Sequence, residues 1–306
     1  MKKDIVVIGS SSVDYIMKMP RLPGVGETVT DAVFMETFGG KGANQAVGAA
    51  RAGGHVSFVN CVGDDDSSRR MVEHFRNEGI DSDCVFEEKG TSCGKALVMI
   101  GEHGANYLSV APGANYRLTS RHIDKADLLI KNAAMVVLQF EILPETLKHV
   151  LDVCERHGTR VLWNFAPARE FDKSYFRKVS MLVVNEIEAE MLSGIKVGGK
   201  ESVEGAANKL LSFGCQTVII TLGADGSFIA SAGKSEWIQA YKVNAVDTTA
   251  AGDVYCGCLA VALCEGMTLT DSAKFASAAA AICVTKLGAQ PSAPRRDEID
   301  AFRRAK

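Results

Sequence analysis

The sequence predicts an α/β protein with a central, mostly parallel sheet covered by helices on both faces. Three observations carry this. Short runs rich in Val, Ile and Leu recur at Ile5–Ile8, Val56–Val62, Met135–Phe140, Arg160–Phe165, Met181–Val184 and Thr217–Leu222. Runs of this kind mark strands buried on both sides, as in parallel sheets. Amphipathic helical patterns lie between them, and this alternation argues for βαβ units. The helical segments also end on glycine, which closes a helix in the left-handed conformation. Gly42–Ala52 stops at Gly53-Gly54, Ser67–Glu78 at Gly79 and Ser202–Phe213 at Gly214. Pro144–His157 has proline in its first turn and Gly158 after its last, the expected asymmetry of helix ends.

Two stretches break the alternation. Residues 14–38 hold Pro20, Pro23, Gly24 and Gly26, with extended pieces at Glu27–Thr30 and Ala32–Thr37. Residues 91–111 hold an extended run Lys95–Ile100, a turn Gly101–Gly104 and a second run Tyr107–Val110. These two pieces are expected to leave the main sheet and pair as a small β appendage over one edge.

With 306 residues, 47% apolar and 23% charged, the chain has the composition of a globular protein that can bury a large core. The length suits one large α/β domain with an insertion, or two domains. A net charge of −3 and a pI near 6.1 give no basic field for nucleic acid or an anionic membrane. The nine cysteines, an odd number, are scattered with no CxxC pair, which reads as buried thiols in a reducing cytoplasm. After Met1-Lys2-Lys3-Asp4 only four apolar residues precede Gly9, too few for a signal-peptide core. The apolar stretch Ala273–Val284 is interrupted by Lys274 and is too short to span a bilayer. The six histidines show no metal-ligand spacing and read as structural or surface groups. No cysteine sits beside an evident base. Asp64-Asp65-Asp66 reads as an acidic turn before a helix rather than a metal cluster.

The segment Asn244–Leu263 (NAVDTTAAGDVYCGCLAVAL) is the most informative. A strand-like approach, Tyr241–Val246, leads through Asp247 and Thr248 into a small-residue turn, Ala250-Ala251-Gly252, and then an apolar helix. Unobstructed backbone N–H groups at a helix N-terminus make an anion site suited to a phosphoryl group. Asp253 in the first turn either complements the helix dipole or deprotonates an incoming hydroxyl. Phe38–Asn44 (FGGKGAN) opens another helix, and its Gly39-Gly40 permits a sharp turn or close approach to a ligand. Lys41 and Asn44 then face either solvent or a polyhydroxylated ligand. In Val6–Asp14 a buried strand ends in small polar residues, where open α/β sheets bind ligands. Ser12, Asp14 and Glu141 are therefore candidate hydroxyl contacts, against the plainer reading of loop residues. The chain has no GxxxxGK[ST], and no GxGxxG follows its first strand.

Taken in order, these segments resemble the ribokinase family of PfkB-type carbohydrate kinases along essentially the whole chain. The similarity rests on GSSSVD, FGGKGANQAVGAARAGG, CVGDDD, PGAN, NFAPARE, VNEIEAE, TLGADG, AVDTTAAGD and GAQPSAP. The combination of FGGKGANQAV, APARE and GAQPS sets the chain nearer to ribokinases than to fructokinases, adenosine kinases or phosphofructokinases. The resemblance implies a ribokinase-like three-layer α/β/α fold in one domain, 1–306, with a β-sheet lid from about 14–38 and 91–111. It implies ATP-dependent phosphorylation of the 5-hydroxyl of D-ribose. Another pentose such as 2-deoxyribose, or a nucleoside, stays open because Ser12 stands where ribokinases usually carry Asn. A non-catalytic sugar or nucleotide sensor is a more distant alternative.

By resemblance, Asp253 is the catalytic base, and the N–H groups of Ala250, Ala251 and Gly252 form the anion hole. The sugar would be held by Ser12, Asp14, Gly40, Lys41, Gly42, Asn44, Glu141 and Asp253. The nucleotide would lie against Asn185, Thr221, Leu222, Gly223, Ala224, Asp225, Gly226, Gly252 and Ser277, with Glu188 organising Mg²⁺ through water. A monovalent cation, normally potassium, would be bound at Asp247, Thr249, Cys283, Lys286, Gly288 and Ser292, mostly through carbonyls. A cytoplasmic homodimer joined through its lids, with small-molecule partners only, completes the expectation.

Overall fold

Two sheets organise the chain in the computed structural model, which describes residues 4–102 and 106–306. The strands are β1 (Ile5–Ile8), β2 (Ser12–Lys18), β3 (Val33–Gly39), β4 (Val56–Gly63), β5 (Val85–Glu88), β6 (Gly94–Ile100), β7 (Asn106–Ala111), β8 (Met135–Leu138), β9 (Val161–Asn164), β10 (Met181–Asn185), β11 (Thr217–Thr221), β12 (Ser227–Ser231) and β13 (Lys234–Ile238). The helices are α1 (Lys41–Arg51), α2 (Asp66–Asn77), α3 (Ser120–Lys125), α4 (Asp127–Asn132), α5 (Pro144–His157), α6 (Glu186–Ser193), α7 (Lys200–Leu211), α8 (Ala251–Cys264), α9 (Leu269–Cys283) and α10 (Arg296–Ala305).

The main sheet runs β13-β12-β11-β10-β9-β8-β1-β4-β5. All pairs from β5 to β11 are parallel, and β12 and β13 add antiparallel at one edge. Its apolar residues divide by parity. Ile5 and Val7 pack with α1, α2, α8 and α9, whereas Val6 and Ile8 pack with α3 to α7. This is the three-layer α/β/α arrangement that the two-sided apolar strands predict.

The second sheet, β3-β2-β6-β7, pairs β2 with β6 in parallel and the outer strands antiparallel. It is rooted on the main sheet, since only Gly9, Ser10 and Ser11 separate β1 from β2. Asn115 clasps that connection. Its Oδ1 accepts from the Ser11 N–H at 2.9 Å and its Nδ2 donates to the Ser11 carbonyl at 2.8 Å.

Some expectations change. Glu27–Thr30 is not a strand, because the Glu27 carboxylate accepts from the Gly24 N–H and pairs with Arg21, folding the segment as a turn. Tyr241–Val246 is not a strand either. The Val246 and Asp247 N–H groups both donate to the Val284 carbonyl beyond α9, so this stretch is a loop tied to a helix end. Ser12 and Asp14 belong to β2 rather than to a loop. The expected turn Gly101–Gly104 lies partly outside the described residues. The short strands β5, β12 and β13 carry no apolar run long enough to announce them.

One packing detail positions the site. Helices α1 and α8 cross at glycine: a Cβ added to Gly257 would lie 2.5 Å from the Gln45 carbonyl oxygen and 2.9 Å from the Ala49 nitrogen. Backbone cannot yield as a flexible side chain does, so the crossing tolerates no larger residue. Gly257→Ala is expected to destabilise the fold by about 1–3 kcal/mol through overpacking. An unchanged Tm in thermal denaturation would show that the crossing is looser than drawn.

Candidate active site

The α1–α8 crossing brings Asn44 and Gln45 of one helix against Asp253 of the other. Asp253 is 5% exposed and stands in the first turn of α8. Its Oδ2 accepts from Asn44 Nδ2 and its Oδ1 from Gln45 Nε2, each at 3.0 Å. A buried carboxylate needs such donors. The residue that caps α8, Ala250, has φ +60° and ψ 6°. It alone among the described non-glycine residues has positive φ. An alanine there costs about 1–2 kcal/mol, and strain of this kind gathers at functional turns. The turn and Asp253 line a cavity of about 210 Å³ with Lys41, Asn164, Asn185, Glu188, Thr221 and Thr248.

The sugar-side candidates gather where β1, β2, β8 and α1 meet. Gly40 caps α1 at φ +87°, and a Cβ there would lie 2.6 Å from Ser11 Cα, so both its dihedral and its neighbours require glycine. Gly42 is as tightly held, against the Ser10 backbone. Glu141, just beyond β8, accepts from the Ser10 hydroxyl and from the Lys41 N–H at 2.9 Å. It thus places an acid at the α1 N-terminus, where the helix dipole favours it. Ser12 Oγ donates to Asp14 Oδ1 at 2.6 Å, so the two act as one polar unit.

Acids outnumber bases here. Burial is the largest influence on Asp14 and raises its pKa above the ordinary aspartate value; Glu141 and Asp253 add to this, and the Ser12 hydrogen bond opposes it. Glu188 is likewise raised, first by burial, against the Asn185 N–H and Lys41. The Lys41 ammonium is held above its usual range, chiefly by Asp253 and also by Glu141 and Glu188. One cation is therefore shared among three carboxylates in a site shielded from water.

The remaining candidates fall into two groups. Asn185 and Glu188 form the capping box of α6, with Glu188 Oε2 accepting from the Asn185 N–H at 2.8 Å. Thr221 lines the cavity, and Leu222 to Gly226 form the turn that leaves β11. Ser277 is buried in α9 and does not line the cavity. In the loop behind α8, Asp247 Oδ1 accepts from the Thr249 N–H and hydroxyl, and its Oδ2 accepts from the Gly288 N–H at 2.9 Å. Burial pushes the Asp247 carboxyl up, but these hydrogen bonds outweigh it and hold the pKa below the usual range. Cys283 lies 3.0 Å from the Ser292 hydroxyl and 3.8 Å from the Thr249 carbonyl. The Lys286 ammonium points instead to Glu298 at 2.7 Å, leaving only its backbone for that loop.

Sequence reasoning did not single out Gln45, Gln139, Asn164 or Ser10, all of which the structure brings to this centre. The signal for Gln45 was an amide at a helix position whose neighbours, Ala43, Ala46 and Ala49, are all apolar. Residues 64–66 form the expected acidic turn before a helix, with Asp65 capping α2.

Residues 2–296 match the description "pfkB family carbohydrate kinase". The chain belongs to the pfkB family of carbohydrate kinases. As a member, it is a kinase that moves a phosphoryl group from ATP to a sugar hydroxyl. It is 36% identical over 302 residues to the ribokinase of Haemophilus influenzae, covering 99% of each chain. It is 35% identical over 300 residues to the deoxyribokinase of Salmonella typhimurium, covering 98% of each. Among solved structures, Arabidopsis thaliana ribokinase complexed with ribose and ATP superposes with a TM-score of 0.93 at 30% identity, over 99% of each chain.

Because burial raises the Asp14 pKa, its charged form costs the fold stability. That cost is absent below the unfolded pKa, where both states are protonated, and grows as pH rises to the folded pKa. Asp14→Asn is therefore expected to raise Tm at pH 7 while raising KM for sugar far more than KM for ATP. A lower Tm at pH 7 would mean that hydrogen bonding, not burial, governs this carboxyl.

Proposed function

We propose that the protein is a ribokinase, transferring the γ-phosphoryl group of ATP to O5 of D-ribose to give D-ribose 5-phosphate and ADP. The observation that carries this is the Asp253 carboxylate, fixed by two amides beside a strained small-residue turn at a helix N-terminus. In this reading Asp253 accepts the proton of the 5-hydroxyl as that oxygen bonds to the γ-phosphorus and the bond to ADP breaks. The backbone N–H groups of Ala250, Ala251 and Gly252 hold the charge on the transferring group. The Ala251 N–H contact to the Thr248 carbonyl is long, 3.3 Å, and easily exchanged for a phosphate oxygen. Lys41 adds positive charge on the same side. Ser12, Asp14, Gly40, Gly42, Asn44 and Glu141 orient the sugar, and the unpaired buried Asn44 Oδ1 supplies an acceptor for one of its hydroxyls.

Asn185 and Glu188 would hold Mg²⁺ through water, where it would neutralise phosphate charge. The oxygen-rich loop of Asp247, Thr249, Gly288 and Ser292 suits a hard monovalent cation such as potassium. Such an ion would brace the 250–253 turn from behind.

A second reading is kept by one observation. Ser12 is shorter than an amide, and a deoxyribokinase is as similar to this chain as several ribokinases. A pentose lacking one hydroxyl is therefore the competing substrate. Comparison of kcat/KM for ribose, 2-deoxyribose and a nucleoside decides between them, and a clear preference for ribose is expected. In the same assay Asp253→Asn should lower kcat by roughly 10²–10⁴-fold with ribose binding retained. Near-normal turnover would defeat the base.

The second sheet is read as a lid, and the pair of lids as the contact of a cytoplasmic homodimer. On the face that carries Asp14, Met35, Ile16, Val98 and Leu108 lie in register across all four strands. Met35, Leu108 and the neighbouring Val33 and Val110 are 44–65% exposed. Apolar surface gathered in this way marks an interaction site. No helix among the described residues is long and apolar enough to cross a membrane, and the patch is on a sheet. Met35→Asp/Leu108→Asp should sediment as a monomer; retention of the parent's oligomeric state would remove the lid from the interface.

A further inference from the structure

We propose that Gln45 and Gln139 are positioning residues, a buried amide relay that fixes the rotamer of Asp253, with Gln139 acting only through Gln45. This rests on the reading of Asp253 as the base.

Both glutamines are fully buried. The polarity of the chain is set at its two ends. The Val183 carbonyl only accepts, so Asn164 turns Nδ2 toward it at 3.3 Å and presents Oδ1 to Gln45. Both Asp253 carboxylate oxygens accept, Oδ2 from Asn44 and Oδ1 from Gln45. Gln45 therefore spends both Nε2 protons, one on Asn164 Oδ1 at 3.1 Å and one on Asp253 Oδ1 at 3.0 Å. Its Oε1 is left to accept from Gln139 Nε2 at 2.7 Å. Every hydrogen-bonding position used by Gln45 is assigned, and a flipped amide would set its oxygen against two acceptors.

The far end shows what this order requires. With Nε2 committed to Gln45, Gln139 Oε1 is buried without a partner. It lies against Gly9, where an added Cβ would be 1.9 Å away. An orphaned buried acceptor is costly, and such groups call for a functional reason. Here the reason is that Gln139 must donate if Gln45 is to face the base correctly. Asn44 holds Asp253 Oδ2 independently, so the relay governs the orientation of the carboxylate plane rather than its place in the fold.

The test measures kcat, KM for ribose, KM for ATP and Tm for Asp253→Asn, Gln45→Met, Gln139→Met and the Gln45→Met/Gln139→Met double variant. Methionine keeps length and apolar volume while removing the amide. Gln45→Met is expected to lower kcat roughly 10–100-fold, the scale of a misplaced catalytic group, with both KM values within about threefold of the parent. Gln139→Met should lower kcat less, with a Tm close to the parent's, because the orphaned Gln139 acceptor is lost while Gln45 Oε1 loses its donor. The double variant should match Gln45→Met alone. An unchanged kcat in either single variant overturns the relay, as does a double variant whose loss is the product of the two. Should Gln45→Met fail to fold, the kcat of Gln139→Met decides alone. Near-normal turnover of Asp253→Asn would instead strike the base itself. That is separable from an active Gln45→Met beside an inactive Asp253→Asn, which removes only the relay.

Discussion

The burial of one carboxylate at a helix crossing governs the rest of this structure. Asp253 keeps its place only because α1 and α8 approach closely enough for Asn44 and Gln45 to reach both of its oxygens. That approach depends on Gly257, and on Gly48, where an added Cβ would lie 3.3 Å from Val254 Cα. Small residues along α8 therefore do two things at once: they bury the helix in the apolar layer and they seat its one acid beside amides. The strain at Ala250 belongs to the same arrangement, since the turn must lift the start of α8 clear so that its free N–H groups line a cavity.

Around this centre the electrostatics are unbalanced by design of the fold. Asp14, Glu141, Glu188 and Asp253 converge, and the last three share the Lys41 cation. Burial raises Asp14 and Glu188, so the free protein carries a cost that ligands with hydroxyl groups and positive ions relieve. In the proposed function a sugar would supply donors to the carboxylates, and a nucleotide's counter-ions would supply charge. Stability is thereby set aside for binding, as functional sites commonly do.

Much of this was legible in the sequence. The parallel strands showed because each is apolar on both faces, and the helices because proline and glycine punctuate them. The segments from Phe38 to Asn44 and from Asp247 to Asp253 left a structural and a chemical reading open, and only their resemblance to a kinase family, taken in order along the chain, gave them roles. What stayed hidden is non-local. Tyr241–Val246 has strand composition, but its N–H groups find a helix-end carbonyl instead of a strand. Glu27–Thr30 looked extended until Glu27 was seen to fold back on Gly24 and Arg21. Gln45 and Gln139 are 94 residues apart, and nothing in either neighbourhood announces that they meet.

The connection from β1 to β2 has a consequence of its own. Ser10 grips Glu141 while Ser11 is pinned by Asn115, so the stem that carries the small sheet and the proposed seat of the acceptor share the same few atoms. On the proposed reading of the small sheet as a lid, its movement and the hold on the sugar would be one mechanical event. On that reading, drift in this stem would loosen the grip on the acceptor and admit water to the nucleotide together.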